Sequence, residues 1–156
     1  MNRIDKKLQQ LKAENKKALI TYVTCGDGGY DTTESAVLKM AENGADIIEL
    51  GVPFSDPIAE GPIIQAASER ALKNGTTLKG IFEMVKRLRS KTNIPLLFMM
   101  YVNSIFRFGT EKFFTICEET GIDGVIVPDL PFEEKEEIQD SADRHNVINI
   151  SLITPT

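Results

Sequence analysis

Apolar positions along this chain switch repeatedly between a period near 3.6 and short continuous runs, the pattern of helices alternating with buried strands. Ile4, Leu8 and Leu11 recur at helical spacing and predict an amphipathic helix within residues 1–14. A β-branched run at 18–24 predicts a strand. It leads into Cys25-Gly26-Asp27-Gly28-Gly29, which predicts a turn, because it lacks both G-x-G-x-x-G and the Lys-Ser/Thr of a phosphate loop. A helix is predicted from about Thr32, with Asp31 as N-cap and Glu34 three residues on, stopping at Asn43-Gly44. Ile47 and Ile48 form a short strand that ends in Glu49, and the next helix runs from near Ile63 to Asn74-Gly75. Leu78, Ile81, Phe82, Val85 and Leu88 give the clearest amphipathic signal; the basic tail Lys86, Arg87, Arg89 and Lys91 suits a helix C-terminus and predicts a solvated face. Beyond Pro95, residues 96–101 are apolar throughout and predict a strand buried on both faces. Helices at 110–119 and 133–144 and strands at 125–128 and 147–153 complete the pattern, which leads to Thr154-Pro155-Thr156.

The order strand–helix–strand predicts a parallel β/α sheet. Gly44-Ala45-Asp46 and Gly121-Ile122-Asp123 repeat one design: a helix-stopping glycine, an aspartate two residues on, then an apolar strand. The strand starts lie roughly 32 residues apart, so eight units need about 260 residues, the norm for a closed (β/α)8 barrel. Five such strands are predicted here, with the first and fifth as open edges that carry a risk of association.

Composition narrows the class. The hydrophobic fraction of 42% and charged fraction of 26% are those of a soluble globular domain. A net charge of −5 argues against nucleic acid as a partner. No window approaches the roughly 20 apolar residues of a membrane span, and the charged N-terminus lacks the apolar core of a signal peptide, so a cytoplasmic, non-membrane protein is expected. Cys25 and Cys117 match no metal spacing and are expected as small buried thiols; His145, the only histidine, is expected to be structural. No metal site is predicted.

The candidate chemistry lies in Asp46 to Pro62, DIIELGVPFSDPIAEGP. Glu49 stands at the end of a buried strand and Glu60 on the loop after it, which is how β/α enzymes present proton-transfer groups. Side chains alternate, so Ile47 and Glu49 share one strand face and Ile48 and Leu50 the other. Asp129 is delivered to the same rim by the fourth strand.

Taken together, LITYVTCGD, IELGVPFSDPIAEG, MMYVN and VIVPDLP resemble the signature of the tryptophan synthase alpha subunit family, and the resemblance covers the whole chain. It implies a TIM (β/α)8 barrel of which residues 1–156, a single domain, contain about five strands, the N-terminal helix plugging the barrel floor. It implies a carbon–carbon lyase of tryptophan biosynthesis that cleaves indole-3-glycerol phosphate to indole and glyceraldehyde 3-phosphate without a cofactor. Glu49 matches the acid–base group, Glu60 the carboxylate at the indole N–H, and Tyr22 and Tyr101 the aromatic lining of the indole pocket. Two positions depart from the family: Glu60 stands where Asp is usual, and Tyr22 where Phe is common. The phosphate site belongs to loops after later strands. The implied partner is the beta subunit in an alpha2-beta2 complex, which holds the pyridoxal phosphate, with Pro53, Asp56 and Pro57 facing it. The competing reading is a non-catalytic alpha-like module that keeps this docking loop.

Overall fold

The structure, a computed structural model, describes residues 1–153. Five parallel strands lie in sequence order: β1 (Ile20–Thr24), β2 (Ile47–Gly51), β3 (Leu96–Met99), β4 (Gly124–Ile126) and β5 (Ile148–Ile150). The helices are α1 (Arg3–Ala13), α2 (Tyr30–Glu42), α3 (Pro62–Lys73), α4 (Leu78–Arg89), α5 (Val102–Phe108), α6 (Thr110–Thr120) and α7 (Glu136–Arg144). Each neighbouring strand pair is parallel, with Tyr22 opposite Glu49, Glu49 opposite Leu97, and Leu97 opposite Gly124. Among the described residues β1 and β5 each pair along one edge only.

Two apolar clusters separate the faces of this sheet. Outward-facing Ile48, Leu50, Leu96, Phe98 and Val125 pack under the helices, against Val37 of α2, Ile81 and Met84 of α4, and Phe113 and Phe114 of α6. Phe113 is the hub of this layer, with its ring 5.8 Å from Phe82, 6.3 Å from Phe98 and 5.1 Å from Phe114. On the inner face Ile47, Leu97 and Ile126 form a smaller cluster with Ile4 of α1. Ile4 therefore fills the floor of the sheet's concave side, close enough to Gly124 that a side chain there would press on it. Leu8 of the same helix is 44% exposed, so the inserted apolar stripe is narrower than its spacing suggests.

The repeated Gly-x-Asp units have a physical purpose at this floor. Asp46 Oδ2 accepts the Leu19 N–H at 2.9 Å, and Asp123 Oδ2 accepts the Leu96 N–H at 2.9 Å. Each aspartate thus anchors the backbone at the start of the preceding strand in the sheet, supplying an acceptor to a donor otherwise left open. One helix then ties both anchors together: Arg3 pairs with Asp123 at 2.8 Å and Lys7 with Asp46 at 3.5 Å. Asn2 caps α1 by accepting the Ile4 N–H, and its amide donates to the Asp123 and Asn146 carbonyls.

Several elements differ from their sequence patterns. The second helix begins at Tyr30 with Gly29 as N-cap, and no side chain caps it. Glu34 does not reach back to the cap because Arg87 of α4 and Lys91 just beyond that helix hold it at 3.0 and 2.6 Å. The basic tail of α4 is correspondingly not a uniformly solvated face: Arg89 turns inward to Asp123 at 2.8 Å and to the Gly121 and Ile94 carbonyls. Burial lowers the Arg89 pKa to about 10, against the opposing pull of Asp123. The third strand stops at Met99, short of the apolar run to residue 101, and a helix that the sequence pattern did not predict, α5, follows it. The predicted helix at 133–144 is broken: a 3-10 turn, Phe132–Glu134, precedes α7. Strands β1, β4 and β5 are shorter than their apolar runs, and residues 154–156 lie outside the described residues. Both cysteines are free and buried, and burial pushes each thiol far above its ordinary pKa.

Candidate active site

The strand carrying Glu49 does not end at that residue. Leu50 and Gly51 continue β2, because Gly51 pairs with Thr24 and Met99 and Leu50 is buried beneath the helices. Alternation then places Glu49 on the concave face, one step above buried Ile47. Its carboxyl is half-buried and, among the described residues, has no hydrogen-bond or ion-pair partner. Burial alone pushes its pKa above the ordinary value, since nothing nearby offsets the loss of hydration of the charged form.

Tyr22 stands beside Glu49 in register on β1. Its phenol lies over Gly51, where any Cβ would collide with the ring, so glycine is required there by close approach. Thr24 Oγ1 donates to the Tyr22 hydroxyl at 3.4 Å. Burial raises the Tyr22 pKa against that hydrogen bond, and the charges of Glu60 and Glu49 push the same way as burial. The phenol is therefore within electrostatic reach of both acids.

Glu60 and Tyr101 are brought together from different elements. Tyr101 follows β3 and N-caps α5; its side chain is 3% exposed. Its hydroxyl donates to Glu60 Oε2 and accepts the Ala59 N–H at 2.8 Å. Phe54 stacks on the ring with centroids 4.9 Å apart and planes at 24°. Gln65 of α3 holds the same loop from the other side, donating to the Glu60 carbonyl at 2.9 Å. Burial first, and then the Glu60 contact, raise the Tyr101 pKa to about 12.

Asp129, expected as a rim carboxylate, accepts the Val102 N–H at 2.9 Å and so anchors the start of α5. On the loop between the two acids Asp56 is exposed and Pro57 half-exposed, whereas Pro53 is buried. Ile58 and Ile63 follow at 84% and 81% exposure. A cleft of about 500 Å³ is lined by Phe54, Pro57, Pro62, Gln65 and Leu72 and contains neither acid. Strand geometry and chemistry, rather than cleft size, locate the candidate site on the concave face. Phe54 and Gln65 were not legible as site residues. Their parts depend on which ring and which carbonyl the fold brings to them.

Parallel strands alternating with helices define a protein of the β/α-barrel class, with one acid on an inner strand face and another on the following loop. A family model described as tryptophan synthase alpha chain matches residues 8–156. The chain belongs to that family. The alpha chain of Caldanaerobacter subterraneus subsp. tengcongensis is 51% identical over 156 residues, covering all of this chain and 60% of that relative. That of Alkaliphilus metalliredigens is 53% identical, again over the whole chain and 59% of the relative. The crystal structure of the alpha subunit from Legionella pneumophila str. Paris superimposes with a TM-score of 0.97 at 42% identity, over all of this chain and 60% of that one. A chain of the tryptophan synthase complex from Pyrococcus furiosus gives a TM-score of 0.85 at 39% identity, over 89% and 57% respectively. The chain thus spans about 60% of the length of the relatives it matches, and its sheet corresponds to that part of their TIM barrel.

Proposed function

We propose that this chain carries the acid–base half of a cytoplasmic carbon–carbon lyase that cleaves indole-3-glycerol phosphate into indole and glyceraldehyde 3-phosphate. The observation that carries the reading is Glu49: an inward-facing, half-buried carboxyl above an apolar floor, with its pKa raised and no partner among the described residues. Cleavage requires that indole C3 gain a proton and that the glycerol hydroxyl on the adjoining carbon lose one, as the carbon–carbon bond opens and the aldehyde forms. A carboxyl whose proton affinity lies nearer neutrality serves both transfers. Protonation at C3 places positive charge on the ring, which Glu60 stabilises from the ring N–H. Tyr22 and Tyr101 give the ring two aromatic neighbours. None of these steps calls on a cofactor.

The partner in this reading is a pyridoxal-phosphate-dependent beta subunit that receives the indole and alone holds that cofactor. Matching solved chains include one from the tryptophan synthase a2b2 complex of Pyrococcus furiosus. Asp56, Pro57 and the exposed Ile58 present a mixed polar and apolar surface suited to docking, and the buried Pro53 stiffens the same loop.

The test joins residues 1–156 to the remaining part of the Caldanaerobacter relative and assays indole release. Glu49→Gln in this chimera is expected to abolish cleavage while circular dichroism stays unchanged. Turnover by the variant at the parent's rate would refute the assignment of Glu49.

A further inference from the structure

The hydroxyl that holds the Glu60 carboxylate is that of Tyr101. It sits at the junction of three elements: the end of β3, the start of α5 and the loop after β2. Its own position is fixed three times over. The ring is buried, it stacks on Phe54, and the next residue's N–H is held by Asp129. The Glu60 carboxylate, by contrast, is held by this hydroxyl alone among the described residues, and Oε1 has no protein partner there.

We propose that Tyr101 is a positioning residue for Glu60: its hydroxyl, held by the Ala59 N–H, locks Oε2 and leaves Oε1 to the ligand's ring N–H. This rests on the reading of Glu60 as the carboxylate that faces that N–H. It adds a role distinct from lining the pocket, because a wall needs only the ring and a lock needs the oxygen. It also accounts for Glu at this position. A longer side chain displaces its carboxylate by about an ångström, and an error of that order in a reacting group can cost roughly a hundredfold. A fixed phenol that captures one oxygen removes the freedom that the added methylene brings. The acceptor side of the same hydroxyl is taken by the loop's own backbone, so acid and loop are oriented as one unit.

The test uses the chimera described above, with indole as the probe and its binding read by calorimetry. Tyr101→Phe keeps the ring and its stacking and removes only the oxygen. Carboxyl carbon NMR of the glutamate-labelled protein is expected to show the Glu60 resonance moving in Tyr101→Phe while that of Glu49 stays in place. Indole binding is expected to weaken by about tenfold in Tyr101→Phe and in Glu60→Gln, the loss typical of a hydrogen bond to a charged group. The double variant is expected to bind no worse than Glu60→Gln, because the phenol acts through the carboxylate. An unmoved Glu60 resonance, or losses that multiply in the double variant, would overturn the positioning role. If Glu60→Gln bound indole as tightly as the parent, the reading of Glu60 at the ring N–H would fail instead, and the Glu60 resonance alone would then decide whether Tyr101 holds the carboxylate.

Discussion

At the scale of single residues, Glu49 shows a carboxyl kept half-buried at the expense of stability. It is the one carboxyl on the inner face of β2, and burial disfavours its charge with no compensating donor among the described residues. A carboxyl whose folded pKa is raised contributes most at low pH: the contribution is intact below its ordinary value of 4.5 and is lost as pH rises through the higher folded value. Glu49→Gln is therefore expected to match the parent in thermal stability at pH 4 and to exceed it at pH 8. Melting curves at the two pH values check this, and equal melting temperatures at pH 8 would mean that the carboxylate is not desolvated. Tyr22 and Tyr101 differ in kind at the same scale. Tyr22 occupies the space left by Gly51 and senses both acids, whereas Tyr101 is bonded to one of them.

At the scale of elements, the floor and the helical layer are joined by charge as well as by apolar contact. Asp123 is 3% exposed and receives Arg89, Arg3 and the Leu96 N–H, so it links β4 to α4, α1 and β3. Removing one member of a buried ionic group strands the others, and Asp123→Ala is expected to lower stability by about 3–5 kcal/mol in denaturant titration. Asp46→Ala, at the equivalent place in the repeat but with a looser 3.5 Å pair, is expected to cost about 1 kcal/mol or less from its ion pair. Reversal of that order would show that the two repeats are not anchored as described.

A second link holds α7 to α6. His145 Nδ1 faces Glu118 at 2.7 Å and Nε2 faces Glu111 at 3.0 Å, with Thr115 of α6 nearby and Arg144 also on Glu111. Glu118 first, then Glu111, raise the histidine's pKa, while Arg144, Ser141 and His145 lower that of Glu111 to about 2. A histidine with a raised folded pKa stabilises fully below its ordinary value of 6.5, and the contribution fades as pH rises through the folded value. The melting temperature is accordingly expected to fall between pH 6 and pH 9 by more in the parent than in His145→Gln. As the sole histidine, its titration is a single NMR signal.

At the scale of the molecule, the sheet has two unpaired edges among the described residues, and its concave face is only partly covered. Ile20 on β1 is 48% exposed, and Ile148 and Ile150 on β5 are only half-buried although both join the inner cluster. Free strand edges beside exposed apolar side chains favour pairing between chains. Residues 1–156 produced on their own are expected to form assemblies larger than a monomer at micromolar concentration, as measured by light scattering. A monodisperse monomer would refute this expectation.

What the sequence determined by itself is the alternation of strands and helices, the inward face of Glu49, and the family. These rest on local rules: a period of two puts Ile47 and Glu49 on one side, glycine stops a helix, and an apolar run is buried on both faces of a parallel strand. The repeated Gly-x-Asp was visible as a pattern, but its purpose was not, because the partner of each aspartate is the backbone of a different strand. Only the tertiary structure decided where the longer polar side chains go. Arg89 turned from a predicted solvated face into the core, Glu34 left its cap for α4, Asp129 became an anchor for α5, and Tyr101 took hold of Glu60. A hydrogen bond or ion pair between residues tens of positions apart depends on the path of the chain between them, and hydrophobic periodicity carries no record of that path.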